Sequence, residues 1–303
     1  MIFSPLVLIL SLVVDQAFGD PHSRFHPVAM IGSFIAWWGQ PSRWHPALQR
    51  LVGVIFWFFT VVIFTAPFLL FSEFAPWYMM LVAGPFLLKS CFALRSLEEH
   101  AAAVAAATSP DVGREKVQML VSRDTSTLTD EQILSAAYES VAENLNDSII
   151  APLFYFVIFG LPGAACYRAA NTMDAMLGYT DERVRIGWFP ARMDDILSFI
   201  PARITGLLLI VYFFCRGRSG PAIKIFRRDR RLRPGFNGGI PMSLIAGGTG
   251  VMFEKPGKYR IGDPEQPLRS AGSEIIRSVR GVTLLFAIVA ATASVLWNLL
   301  PNI

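Results

Sequence analysis

Three acidic residues recur at four-residue intervals near the middle of the chain: Glu139, Glu143 and Asp147. A helix over this segment would place all three on one stripe, where they repel one another unless a cation joins them. Residues 148–167 follow directly and carry no charge, and carboxylates against a membrane segment are costly and usually functional. Because oxygen ligands suit Mg²⁺ bridging to a phosphate, the stripe predicts a metal or catalytic site. The alternative is a solvated helix face.

A second polar group, Arg123, Asp124 and Thr125, comes shortly before that stripe. The tetrad from Thr129 to Gln132 has the form of a capping box, which predicts that a helix starts there. An Arg side chain and backbone N–H groups near a helix N-terminus can bind a phosphate or a carboxylate. An ordinary polar segment leading into the helix fits these residues equally well.

Charged residues also crowd the segment 171–203. The pair Asp194-Asp195 is followed directly by the apolar run ILSFI, which again places acids at a membrane edge. The alternative is a solvated loop. The residues of this segment that could take part in chemistry are Asn171, Asp174, Arg183, Arg185, Arg192, Asp194, Asp195 and Arg203.

Two other stretches resemble metal-binding or nucleotide-binding motifs but lack a feature that each motif requires. His22 and His26 are four residues apart, but Pro21 and Pro27 disrupt the helix that would align them, so we reject zinc. The glycine-rich stretch 233–259 lacks the residue order of a P-loop or of a Rossmann turn. An irregular connection is the preferred interpretation of that stretch, ahead of a flexible loop over a bulky ligand.

The composition indicates which elements must position these groups. The chain of 303 residues is 53% hydrophobic and 17% charged, with a mean hydropathy of +0.45, whereas a soluble domain carries about 25% charged residues. Residues 51–71 and 281–300 carry no charge and are long enough to cross a bilayer as helices. We therefore predict an all-α, multi-pass membrane protein, with residues 1–303 forming a single membrane domain. Shorter apolar candidates are residues 2–14, 76–88 and 204–215.

The net charge of +4 arises largely from a basic run at 216–233. Such a run beside an apolar helix is typical of the cytoplasmic face and of anionic lipid headgroups, so we expect no nucleic-acid partner. The three cysteines lack any CxxC spacing and imply neither a disulfide framework nor a zinc site.

The distribution of Lys and Arg predicts the topology. It places polar loops 95–147 and 216–278, and residues 20–50, on the cytoplasmic side, with 72–76 outside. The sequence Gly160-Leu161-Pro162-Gly163 interrupts the apolar segment 148–167, which suits two half-helices meeting in a re-entrant hairpin. We favour this non-crossing arrangement, with 169–195 cytoplasmic, over two full crossings that would expose 169–195 outside.

Over most of its length the chain resembles the adenosylcobinamide-phosphate synthase family of cobalamin biosynthesis, the CbiB-like membrane proteins. The resemblance rests on "GDPHSRFHPV", "RDTSTL", "ESVAENLNDSIIAPLFY", "PGAACYRAANTMDAMLGY", "ERVRIGWFPARMDDILSFIPAR" and the looser "NGGIPMSLIAGGTGV". Family members commonly have Asn-Thr-x-Asp where this chain has Asn144-Leu145-Asn146-Asp147. A role of that Thr side chain therefore does not carry over.

The resemblance implies an amide bond between a propionate of adenosylcobyric acid and aminopropanol or its phosphate, with ATP and Mg²⁺ as cofactors. The composition further predicts a location in the cell membrane with lipid as a partner, and a homo-oligomer is compatible with the sequence. The acids expected to serve as catalytic groups are Glu143, Asp147, Asp174, Asp194 and Asp195, of which Glu143, Asp147 and Asp174 would hold the metal. The residues expected to bind substrate are Asp20, His26, Arg123, Asp124, Thr125, Glu139, Asn144, Asn171, Arg183, Arg192 and Arg203.

Two other functions remain alternatives from the residues alone. An intramembrane prenyltransferase could hold Mg²⁺-diphosphate between two acidic clusters, although the dense paired-aspartate motifs expected of it are missing. A transporter with a broken helix at its binding site is also compatible with 148–167.

The predicted cytoplasmic position of 169–195 can be tested by labelling. A cysteine placed by Thr180→Cys, in a chain whose three native cysteines have been replaced, should resist membrane-impermeant thiol reagents added to intact cells. Efficient labelling from outside would contradict the topology.

Overall fold

The computed structural model describes residues 4–20 and 26–299, with side chains described at 5–20 and 26–296. His22 and Pro21 of the rejected zinc pattern lie outside the described residues. The helices of the described chain are α1 (Ser4–Phe18), α2 (Pro27–Trp38), α3 (Gln49–Phe74), α4 (Trp77–Val82), α5 (Gly84–Lys89), α6 (Leu94–Ala105), α7 (Pro110–Gln118), α8 (Asp130–Leu145), α9 (Ala151–Leu177), α10 (Trp188–Leu197), α11 (Phe199–Cys215), α12 (Ser219–Asp229), α13 (Gly239–Thr249) and α14 (Leu268–Leu299).

The chain divides into two compact units. Unit 1 combines the chain up to residue 93 with residues 151–198 and the C-terminal part from 287, and unit 2 combines 94–150 with 199–286. The core of unit 1 is formed by buried apolar side chains such as Ile35, Trp38 and Ile186. This division does not test the single membrane domain expected from the sequence, which stays a prediction.

By length and composition alone, three helical segments of the described chain could cross a membrane. They are α3, the window 130–177 and residues 268–296 of α14, and α10 with α11 would add a fourth if that bent pair is one span. The flank of α3 exposes large apolar side chains, among them Phe59 and Val62. The prediction of an all-α, membrane-spanning helical protein is therefore confirmed.

The break predicted at Gly160 is present and turns the chain back on itself. Gly160 has φ 68° and ψ −159°, a combination outside the helical region, which glycine adopts without steric cost. The rings of Tyr155 and Tyr167 stack with centroids 5.3 Å apart, although a straight helix would separate these residues by about 18 Å. The two halves of α9 thus form a helical hairpin at the predicted break, whereas the prediction that this hairpin re-enters without crossing the membrane is not tested and stays a prediction.

The capping box predicted at Thr129 is also present. The Thr129 hydroxyl accepts from the Gln132 backbone N–H, and the Gln132 side chain accepts from the Thr129 N–H, so α8 begins at Asp130. A π-helical turn follows α8 at Asn146–Ile150. Glu139 and Glu143 therefore share the regular helix, whereas Asp147 lies on the π-turn, a feature frequent at functional sites.

The glycine-rich stretch 233–259 is not the irregular connection that the sequence suggested. Its centre is α13, of which every residue is buried, followed by an antiparallel hairpin of β1 (Met252–Lys255) and β2 (Tyr259–Gly262). A Cβ at Gly247 would lie 2.6 Å from the Pro221 carbonyl oxygen, and one at Gly248 would overlap the Phe213 ring. The glycines allow close approach of α11 and α12, and this packing outweighs their low helix propensity.

The hairpin in α9 gives a test of stability. A Cβ at Gly163 would overlap the Tyr155 carbonyl oxygen and lie 2.6 Å from the Phe159 Cβ, so Gly163→Ala should force the two halves apart. We expect a loss of about 1–3 kcal/mol in the free energy of unfolding, as for other overpacked sites. The loss is measured as a lower melting temperature of the purified protein in detergent.

Gly220→Ala is the matched control, because a Cβ there meets nothing within 4 Å and the residue lies in α12. It should leave the melting temperature unchanged or slightly raised, since alanine favours helices. Equal melting temperatures for both variants would rule out the tight hairpin.

Candidate functional site

The buried carboxylate of Glu139 has three hydrogen-bonding partners in unit 2. Its side chain is buried and accepts hydrogen bonds from the Ser135 hydroxyl at 2.7 Å and the Tyr259 hydroxyl at 2.9 Å. The Arg123 guanidinium lies 3.3 Å away through Nη2 and forms an ion pair with it. A buried carboxylate needs such partners, because an unpaired charge in the interior is strongly destabilising.

Ser135 also fixes the position of the β-hairpin against α8. Its hydroxyl oxygen accepts from the Glu254 backbone N–H at 2.6 Å, and Glu254 belongs to β1. This bond places the neighbouring Lys255 and, through β2, Tyr259 next to the acids of α8. The small sheet therefore contributes two side chains to the site.

Glu143, one helical turn further along α8, pairs with Arg233. The guanidinium also donates to the Pro234 carbonyl at 2.7 Å through Nη1. A Cβ at Gly238 would lie 2.7 Å from the Arg233 Cζ, so only glycine lets the guanidinium lie against the backbone there. Burial lowers the pKa of Arg233, but the charges of Glu143 and Asp147 outweigh it and leave the pKa raised.

Lys255 and Tyr259 complete the group that we name the α8 cluster. Burial and then the Arg123 charge lower the pKa of Lys255, against the opposing effect of Glu139. Burial and then the Glu139 charge raise the pKa of Tyr259, so its hydroxyl remains a hydrogen-bond donor. The members of the α8 cluster are Arg123, Glu139, Glu143, Asp147, Arg233, Lys255 and Tyr259.

One donor in the α8 cluster is open. The Nη1 atom of Arg123 is buried and has no hydrogen-bond partner among the described residues. Guanidinium groups carry only donors, and buried donors are normally paired. An anion placed beside Arg123 would satisfy this group.

The other predicted residues of unit 2 mostly make internal contacts. Asp124 accepts from the Ser126 N–H at 2.9 Å, and that bond lowers the pKa of Asp124. Thr125 is buried, with its hydroxyl 3.1 Å from the Arg114 carbonyl oxygen. An open groove of about 350 Å³ lies beside both residues.

Asn144 and Arg203 also have partners within unit 2. The Asn144 side chain donates to the Ser140 carbonyl at 2.9 Å and accepts from the Ser148 hydroxyl at 2.7 Å. Arg203 donates to the Asn237 side chain at 2.6 Å. These contacts brace the π-turn and the loop after α12.

Unit 1 brings together a second set of the predicted residues. The Asn171 amide donates to the buried Asp194 carboxylate at 3.2 Å, and Arg192 lies 3.7 Å from Asp195 on α10. Asp174, on α9, is half-buried. These residues lie around the C-terminal part of α9 and on α10.

Arg183 is held by its own loop. Its side chain pairs with Asp181 and lies 4.0 Å over the Tyr179 ring. Hydrogen bonds from the Arg183 side chain and backbone lower the pKa of Asp181 to about 2. This arrangement orders the turn before α10.

Asp20 and His26 lie in a buried charge network of unit 1 that also contains Lys89 and Asp15. Lys89 pairs with Asp20, and its Nζ lies 3.5 Å from Asp15. His26 Nδ1 accepts from the Val28 N–H at 3.3 Å, and its Nε2 lies 3.7 Å from Asp20. Burial lowers the pKa of His26 more than the Asp20 charge raises it.

The predicted metal set is not gathered within one unit, because Glu143 and Asp147 belong to unit 2 and Asp174 to unit 1. In the part of the chain that the structure describes, no three or more His, Cys, Asp or Glu side chains are arranged to hold a metal ion. The metal role of these acids stays a prediction.

Sequence reasoning missed Arg233, Lys255, Tyr259, Lys89 and Asp15. Arg233 lies within the basic run that indicates lipid headgroups, and no local sequence pattern indicates its pairing with Glu143. Asp15 and Lys89 did have one, because each is a lone charge at the end of an apolar run.

The model of a family described as CobD/Cbib protein matches residues 8–285. The chain is 42% identical over 262 residues to the probable cobalamin biosynthesis protein CobD of Methanothermobacter thermautotrophicus, covering 85% of this chain and 86% of that protein. It is 37% identical over 299 residues to the probable cobalamin biosynthesis protein CobD of Methanococcus vannielii, covering 94% and 96%.

A third relative is the cobalamin biosynthesis protein CobD of Dehalococcoides mccartyi, which is 36% identical over 271 residues, covering 87% of this chain and 88% of that protein. No solved protein structure matches the chain. The resemblance carried by the motifs is thus confirmed by matches over nearly the whole length. The chain belongs to the CobD/Cbib protein family.

Proposed function

We propose that this chain is a cobalamin biosynthesis enzyme that forms an amide bond between a propionate of adenosylcobyric acid and aminopropanol or its phosphate. The family and the names of the relatives support the pathway. The reaction is supported by the motifs and by the charges of the α8 cluster. We also propose that the protein lies in the cell membrane with its site on the cytoplasmic side. A homo-oligomer is compatible with this proposal.

The chemistry requires cations near the reacting carboxylate. A carboxylate is a poor electrophile and is most simply activated as an acyl phosphate, whose formation needs positive charge on the phosphates. Arg123, Arg233 and Lys255 supply three cationic side chains from three different segments. The open, buried Nη1 of Arg123 is the observation that carries the proposal.

The acids of the α8 cluster would have different roles, positioning or proton acceptance, because their surroundings differ. Glu139 already accepts from three groups, so it holds Arg123 and Tyr259 in place. Glu143 and Asp147 are only partly buried. Because the amine must lose a proton to attack, one of these two acids would accept that proton.

The same two acids would hold Mg²⁺. Glu143 and Asp147 are four residues apart, and one or two carboxylates together with substrate phosphates are the usual ligands of this ion. When bound, Mg²⁺ with ATP would supply charge neutralisation on the transferred phosphate. The catalytic roles of Asp174, Asp194 and Asp195 of unit 1, the metal role of Asp174, and the substrate-binding roles of Asn171 and Arg192 stay predictions.

Transport remains a second candidate because α9 is broken at Gly160, as in carriers with discontinuous helices. Purified protein incubated with adenosylcobyric acid, aminopropanol phosphate, ATP and Mg²⁺ separates the two. Synthesis predicts a product with the mass of the amide. Uptake of corrinoid into vesicles without amide formation would favour transport.

Asp147→Asn tests the metal and proton role of the second acid. It keeps the size of the side chain but removes the charge, so amide formation should fall by at least about a hundredfold, within the range for lost acid–base groups. The melting temperature should stay near that of the parent protein. Product is measured by mass spectrometry across a Mg²⁺ titration.

Asp111→Asn is the matched control, because that carboxylate is 91% exposed and pairs only with Arg114 among the described residues. It should keep the parent rate. A near-parent rate for Asp147→Asn at every Mg²⁺ concentration would end the proposed role.

Arg123→Lys tests the open donor. Lysine keeps the positive charge beside Glu139 but loses the planar fork of five donors, so the KM for the anionic substrate should rise about tenfold or more. Initial rates at varied concentrations of each substrate show which one depends on Arg123.

Arg260→Lys controls for the exchange itself, since Arg260 is 69% exposed and pairs with Glu254 on the hairpin surface. Its kinetics should match the parent. An unchanged KM for every substrate in Arg123→Lys would contradict the proposed role of Arg123 in binding an anionic substrate.

A further inference from the structure

Unit 1 contains a cavity flanked by two arginines, Arg50 and Arg185, that the proposed reaction does not use. The cavity has a volume of about 300 Å³ and is lined by Pro46, Ala47, Arg50 and Arg185. Arg50 lies in the first turn of α3, and Arg185 lies in the turn before α10. The two side chains come from positions far apart in the sequence.

A backbone contact fixes the two arginines relative to each other. A Cβ at Gly53 would overlap the Ile186 carbonyl oxygen, so only glycine lets the segment after α9 lie directly on α3. Ile186 is fully buried in this contact. Arg50 is three residues before Gly53 and Arg185 directly precedes Ile186, so the contact holds both arginines at the same cavity.

These two arginines have no acidic partner at ion-pair distance among the described side chains. Neither guanidinium forms an ion pair or donates a hydrogen bond to another residue in the described ranges 4–20 and 26–299. Arg50 only lies over the Trp188 ring, at 5.7 Å. By contrast, nearby Arg43 donates to the Gln40 side chain at 2.8 Å.

The helix that starts at the cavity adds to its preference for anions. The residue before α3, Leu48, provides no side-chain cap for the first N–H groups, and these groups carry the positive end of the helix dipole. Immediately beyond, α3 exposes Leu51 and Ile55, and the helix is a candidate membrane span. The cavity therefore lies at one end of a span, the level at which lipid headgroups are found.

We propose that the cavity between Arg50 and Arg185 binds a phosphate group, supplied by the headgroup of an anionic phospholipid. The two guanidinium groups donate to the phosphate oxygens, as planar donors do in other phosphate sites. The acyl chains then extend along the apolar flank of α3. A free phosphate ester offers the same chemistry without the chains and is the second source to be distinguished.

Lipid binding by the full-length protein tests the proposal. Protein in nanodiscs of phosphatidylcholine is titrated with phosphatidylglycerol, and retained lipid is counted by native mass spectrometry. The combined variant Arg50→Gln with Arg185→Gln should bind phosphatidylglycerol at least about tenfold more weakly than the parent, since two charge-assisted contacts are lost. Each single variant should fall between the two.

Arg43→Gln is the matched control, because it removes one positive charge close in sequence without touching the cavity. A second arm adds inorganic phosphate to phosphatidylcholine nanodiscs and follows the melting temperature. Stabilisation by phosphatidylglycerol alone supports the lipid as the source, and equal stabilisation by inorganic phosphate assigns the cavity to a soluble phosphate ester.

Two results would overturn the site. In one, the double variant binds phosphatidylglycerol and phosphate as tightly as the parent. In the other, Arg43→Gln weakens binding as much as the double variant does, which would show that only the overall surface charge matters.

Discussion

The buried carboxylate of Glu139 is the constraint around which unit 2 is organised. A charge in the interior must be hydrogen-bonded and neutralised, and Glu139 meets this need with groups from three segments. Ser135 comes from its own helix, Arg123 from the loop before that helix, and Tyr259 from the β-hairpin more than a hundred residues later. The acid therefore connects the loop and the hairpin to α8, and the loop carries the Arg123 guanidinium whose Nη1 has no partner among the described residues.

The parts of the fold that local patterns determine were predictable from the sequence. The start of α8 follows from reciprocal hydrogen bonds within four residues, beginning at Thr129. The membrane helices follow from long uncharged runs, and the hairpin in α9 follows from Gly160 and Pro162 in one such run. In each case the cause lies within a few residues of its effect, so no knowledge of tertiary contacts is needed.

The partners of the predicted acids were not predictable, because they depend on contacts between distant segments. Arg233 reaches Glu143 across ninety residues, and nothing in its basic surroundings distinguishes it from its neighbours. The α13 helix was misread for a related reason, since Gly247 and Gly248 are selected by what packs on them. The acids of the α8 cluster were thus predictable from the sequence, whereas two of its three cationic residues, Arg233 and Lys255, were not.

The charge network of Lys89 and Asp15 has a consequence for how the chain enters the membrane. Both side chains are almost completely buried, and they sit at the ends of short apolar helices, α1 and α5. Either helix buried without the other would carry a charge whose partner is missing, and an unpaired buried charge is strongly destabilising. α1 therefore remains incomplete as a membrane element until residue 89 has been synthesised, and we expect α1 and α5 to become buried together, not one after the other.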